Sequence, residues 1–147
     1  MFLLKTDSNS RNVFHFAARY SSREIAEIIL EKLSENEKLR DILLLKDCDS
    51  HNALMLSAYN SDDENIFRYM LELYEKTFSN FDLQKIIFEE KNSENLNLIH
   101  ILVAFGSISN IELISQKFQI DKTHLSSKGC LNRNLLCSVV AYNRNLD

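Results

Sequence analysis

The sequence predicts an all-α fold, a solenoid of about four helical repeats with extra helical turns between them. Three observations point there. A seven-residue stretch headed by Asn returns four times. A longer amphipathic segment follows each of the first three. Glycine occurs only twice and proline never in 147 residues, which leaves little material for the tight turns of an all-β protein.

The four stretches align without gaps: Asn12-Val-Phe-His-Phe-Ala-Ala18, Asn52-Ala-Leu-Met-Leu-Ser-Ala58, Asn97-Leu-Ile-His-Ile-Leu-Val103 and Asn134-Leu-Leu-Cys-Ser-Val-Val140. Five positions before the Asn stand Asp7, Asp47, Asn92 and, in the last copy, Gly129. Asn is among the best helix N-caps, because its side-chain oxygen accepts an otherwise orphaned N–H of the first turn. Each Asn therefore predicts the start of a short buried helix.

In chain order, the first inner helix is expected over 13–20. An outer helix follows near 23–34, with Ile25, Ile28, Ile29 and Leu33 as its apolar stripe. Extra turns near 37–45 carry Leu39, Ile42 and Leu43. The second inner helix spans 53–60. Asp62-Asp63-Glu64 then suits the positive end of an outer helix near 64–76, striped by Ile66, Met70 and Leu73. More turns near 82–89 hold Leu83, Ile86 and Ile87. The third inner helix covers 98–105, and its outer partner near 109–118 is striped by Ile111, Ile114 and Phe118. A fourth inner helix is expected over 135–142. The single repeat domain, 1–147, divides into repeats of about 7–46, 47–91, 92–128 and an incomplete 129–147.

Hydrophobic residues are 45% and charged residues 26% of the chain, the balance of a soluble folded domain. The net charge of −4 gives no basic footprint, so no nucleic-acid partner is expected. No apolar run reaches the roughly 20 residues that span a bilayer, so no membrane partner is expected either. Cys48, Cys130 and Cys137 lack the spacing of a disulfide framework or zinc site and read as thiols in the reducing cytoplasm. There is no HExxH and no Gly-rich phosphate loop. No enzyme activity, metal or cofactor is expected.

The repeat resembles the ankyrin unit, a β-turn followed by two helices with a T-P-L-H-x-A signature. Asn12-Val13-Phe14-His15-Phe16-Ala17 and Asn97-Leu98-Ile99-His100-Ile101-Leu102 occupy that signature. Asn52-Ala53-Leu54-Met55-Leu56-Ser57 and Asn134-Leu135-Leu136-Cys137-Ser138-Val139 are copies lacking the His. Asp7–Ser10 and Asp47–Ser50 match the family's D-x-x-G turn with Ser for Gly. The chain departs from the family in having Asn for Thr, no Pro, and signatures 40, 45 and 37 residues apart, against the usual 33.

The resemblance implies that His15 and His100 tie neighbouring hairpins together rather than catalyse. It also implies a protein partner, held by the turn before each signature and the far end of each inner helix. By register that surface takes Asn9, Arg11, Arg19 and Tyr20 from the first repeat, and Asp49, His51, Tyr59 and Asn60 from the second. Glu94, Leu96 and Phe105 come from the third, and Arg133 and Tyr142 from the fourth. Tyr and Arg are the side chains that most often anchor interfaces. The resemblance leaves open an accessory array of a larger enzyme or channel, and a small virus-encoded inhibitor of a host signalling protein. Phe2, Leu3 and Leu4, with Leu135, Leu136 and Val139, are expected as uncapped ends through which the chain self-associates.

Overall fold

A computed structural model of the chain describes residues 5–33, 39–60, 63–120 and 124. Among them are eight α-helices and no strand: α1 (Val13–Tyr20), α2 (Arg23–Leu33), α3 (Leu39–Leu44), α4 (Ala53–Ala58), α5 (Glu64–Thr77), α6 (Asn80–Phe88), α7 (Leu98–Phe105) and α8 (Ile108–Lys117). The fold is an all-α array of repeats. Inner helices stack α1 on α4 on α7, and outer helices stack α2 on α5 on α8. The inserts are helices of their own: α3 packs on α4 and α5, and α6 on α5 and α7. The expected fourth inner helix lies outside the described residues, as do Phe2, Leu3, Leu4, Leu135, Leu136 and Val139.

Each described inner helix starts where its Asn requires. The side chains of Asn12, Asn52 and Asn97 accept the backbone N–H of His15, Met55 and His100 at 3.0, 2.9 and 3.0 Å. These caps are buried, so losing one leaves a donor with no water to turn to. Two outer helices carry caps of other kinds: Asp63 accepts from Asn65, and Ser107 from Asn110. Asp63 also accepts the Arg23 N–H at 3.0 Å, which clips α5 to α2. That bond, foremost, holds its carboxyl below the ordinary aspartate range.

The turn ahead of each inner helix is built alike three times. Asp7 Oδ1 accepts the N–H of Asn9 and Arg11, both at 2.8 Å. Asp47 Oδ1 does the same for Asp49 and His51, and Asn92 Oδ1 for Glu94 and Leu96. Three residues past each Asx, the backbone enters the left-handed region at Ser10 (φ 59°), Ser50 (φ 62°) and Asn95 (φ 64°). The turns then join edge to edge. Cys48 N–H donates to Asn9 O at 2.9 Å, and Ser93 N–H to Asp49 O at 2.8 Å.

Burial follows the stacking. Phe14, Leu54, Ile66, Phe67, Met70, Leu71, Ile87 and Leu98 are all but sealed from water. Half of the expected α2 stripe is different: Ile25 and Ile28 face outward, and Ala26 takes the buried position. Periodicity marks an apolar face, but only a neighbour can bury it.

Candidate protein-binding face

The turns and the C-terminal ends of the inner helices meet on one side of the array. The Arg19 guanidinium, at the end of α1, donates to the carbonyl of Tyr59 at 2.6 Å. It lies 5.2 Å from the Tyr20 ring centroid and 5.4 Å from that of Tyr59, within cation–π range of both. The Tyr59 ring stands 5.0 Å from Phe105 and meets His51 edge-on at 5.6 Å. Tyr20, Arg19, Tyr59 and Phe105 thus form one row through three repeats. Its ends are open, with Tyr20 58% and Phe105 45% exposed.

His51 is oriented by the turn of the next repeat. Asn92 Oδ1 is taken by two backbone N–H groups, so its amide nitrogen is the donor toward His51 Nε2, 3.0 Å away. His51 Nδ1 is buried 3.3 Å from Asp47 Oδ1 but makes no hydrogen bond to it. Arg11, Arg19, Tyr20, Asp47, Asp49, His51, Leu56 and Tyr59 enclose a groove of about 240 Å³. The ligating atoms of Asp47, Asp49 and His51 come within 4.8 Å of one another. Asp47 Oδ1 already holds two backbone donors and His51 Nε2 the Asn92 amide, so these groups build the turn.

Most of the sequence-predicted residues reach this face. Tyr20, Asp49, Glu94 and Phe105 are exposed, while Asn9, Arg11, Arg19, His51 and Tyr59 are half-buried along it. Two are corrected. Leu96 is fully buried: it stands where Arg11 and His51 stand in earlier turns, but an apolar side chain there turns into the core. Asn60 is buried too, and its amide donates to Ala18 O at 3.2 Å and Ser21 O at 3.0 Å, closing the end of α1. Neither presents a side chain to a partner. Arg133 and Tyr142 lie outside the described residues. The groove adds Asp47 and Leu56, whose turn and inner-helix positions were legible but which read as framework and core.

The class of protein defined here is a helical-repeat array with a polar–aromatic face along its turns. The chain is similar in fold to one in the crystal structure of the yeast ribosomal protein Rps3 in complex with its chaperone Yar1. The match has a TM-score of 0.72 at 15% identity and covers 97% of this chain and 90% of that one. No protein-family model and no curated protein matches the sequence. Among the described residues no helix is long and apolar enough to cross a membrane.

Proposed function

We propose that the chain is an ankyrin-type repeat array that binds a partner protein through its turns and inner-helix ends. The observation that carries this is the row Tyr20, Arg19, Tyr59 and Phe105, which crosses repeat boundaries and is open at both ends. Such a row offers large, rigid contact area at little entropic cost, with the guanidinium already held in place. Repeats laid in line also extend one binding surface over many residues. The three matching Asx turns, their left-handed third residue and the buried signature histidines support the ankyrin assignment. A chain of similar fold occurs in a complex of a chaperone with a ribosomal protein, and a protein ligand agrees with that. The role is one of binding, inside the cell, with no chemical step assigned to these residues.

Site-specific photo-crosslinking in native extract tests the reading. A photoreactive side chain at Tyr20 or Phe105 is expected to trap a partner, and one at Lys76 or Glu112 on the outer helices is not. Adducts only from the outer positions, or from none, would refute it.

A further inference from the structure

The groove of about 240 Å³ on the partner face has charged walls of opposite sign. The first repeat lines it with Arg11 and Arg19, the second with Asp47 and Asp49. Two of these four are already engaged. The Arg19 guanidinium donates to the Tyr59 carbonyl and lies within cation–π range of the Tyr20 and Tyr59 rings. Asp47 is buried, and its Oδ1 accepts the N–H groups of Asp49 and His51. Arg11 and Asp49 are left. Arg11 Nε is buried without an acceptor, and the Asp7 carboxylate beside it stands 3.7 Å away, beyond hydrogen-bonding distance. The Asp49 side chain is exposed and forms no ion pair among the described residues. Elsewhere opposite charges close up: Arg23 and Glu27 to 2.7 Å, Lys117 and Glu75 to 2.9 Å, Lys46 and Glu90 to 3.1 Å. Arg11 and Asp49 line one groove, yet do not pair with each other.

A cation and an anion held apart across a groove offer a partner two contacts of opposite sign. The half-buried Arg11 has lost part of its water and gains most from a carboxylate, which a guanidinium grips with two parallel N–H groups. Asp49 attracts an ammonium or a guanidinium. A carboxylate alone meets the like charge of Asp49, and a cation alone meets that of Arg11, so a ligand of one sign is penalised where a mixed one is not. We infer that the groove takes an acid–base pair of side chains from the partner, a carboxylate against Arg11 and a Lys or Arg against Asp49. This rests on the protein-binding reading of the face and names the chemistry that the face selects. Leu56, Tyr20 and Tyr59 give the aliphatic stems of such a pair an apolar wall. The two side chains share one face when they stand two residues apart in an extended segment, or three to four apart in a helix.

Selection of a phage-displayed random peptide library on the 147-residue chain tests this inference. The enriched peptides are expected to carry an acidic and a basic residue at one of those spacings. Selection on Arg11→Gln should lose the acidic preference and keep the basic one, and selection on Asp49→Asn should do the reverse. Arg11→Lys keeps the charge and should keep the acidic preference. An enriched peptide, synthesised and titrated, is expected to bind Arg11→Gln and Asp49→Asn each about tenfold more weakly than the unaltered chain. Its affinity for Lys76→Gln, on an outer helix, should be unchanged. Circular dichroism melts verify that the variants fold. Enriched peptides that lack the pair or carry one sign only overturn the inference, as does a library with no enrichment over the bare support. The crosslink at Tyr20 and Phe105 does not depend on the partner's charge, so it distinguishes failure of the face from failure of the pair.

Discussion

His15 and Leu45 stand thirty residues apart in sequence and 3.1 Å apart in space, imidazole Nε2 against backbone carbonyl. The other ring nitrogen accepts the Asn12 N–H at 3.1 Å, so the proton must sit on Nε2 and the ring donates to Leu45. One neutral histidine thereby closes the cap of α1 and ties the first repeat to the insert after α2. Burial disfavours the imidazolium and pushes the His15 pKa below its ordinary value of 6.5. The unfolded chain then binds more protons than the folded one at mildly acid pH, so stability falls as pH falls. The His15 contribution is complete above pH 6.5 and is lost progressively below it. The urea midpoint is expected to drop between pH 7.5 and pH 5. His15→Gln should be less stable at neutral pH but lose less on acidification. An equal acid-induced drop in both proteins would contradict this.

The caps differ in what else they hold. Asn52 caps α4 and makes a long 3.4 Å contact with Glu90. Asn97 caps α7 and also donates its amide to the Phe88 carbonyl at 2.8 Å, joining α6 to α7. Asn52→Ala should cost about 1 kcal/mol, the usual loss for a cap. Asn97→Ala should cost about 2 kcal/mol, because a buried carbonyl also loses its donor. Urea melts giving the two equal costs would assign no weight to the Phe88 bond.

Ser50 adopts a left-handed conformation that glycine takes without steric penalty. A non-glycine residue there carries a cost of roughly 1–2 kcal/mol, part of which glycine would return as unfolded-state entropy. Ser50→Gly is expected to stabilise the chain by up to about 1 kcal/mol. Asn95→Gly should gain less, since Asn tolerates this region better than Ser. A fall in melting temperature for Ser50→Gly would mean that the Ser side chain does more than occupy the turn.

Tyr74 ties the first insert to the array. Its ring is fully buried and its hydroxyl donates to the Leu43 carbonyl of α3 at 2.6 Å, while burial raises its pKa far above the ordinary phenol value. Tyr74→Phe removes one oxygen and strands that carbonyl. The expected cost is about 1–3 kcal/mol, with hydrogen exchange of α3 accelerated more than that of α7. Uniform acceleration across the chain would show that the bond is not local to α3.

The helices were legible because their signals are local. An Asn cap, an Asx turn and an apolar stripe act over a handful of residues, and the inner helices α1 and α7 run as their caps predict. The binding face was half legible for the same reason. Position in the turn foretold exposure for Asp49 and Glu94, but Leu96 follows its apolar side chain inward and Asn60 follows its hydrogen bonds to α1. The outward turn of Ile25 and Ile28 depends on which helices neighbour α2, and no spacing within α2 records that.

The proposed face predicts a separation of binding from stability. Tyr20 has its ring largely in water, and Phe105 is nearly half exposed at the other end of the row. Truncating either removes contact area that a partner would use and little that the core uses. Tyr20→Ala and Phe105→Ala should each weaken the crosslinked partner's affinity by more than about 1 kcal/mol, with urea midpoints close to that of the unaltered chain. Asn60→Ala should behave in the opposite way. It frees the Ala18 and Ser21 carbonyls at a cost of about 1–3 kcal/mol in stability, and while the chain remains folded its affinity should hold. Arg19→Ala should fail on both counts, because Arg19 belongs to the row and also bonds the Tyr59 carbonyl. Isothermal titration and urea melts on the four variants distinguish the cases. If Tyr20→Ala and Phe105→Ala bind as tightly as the unaltered chain, the partner does not sit on this row.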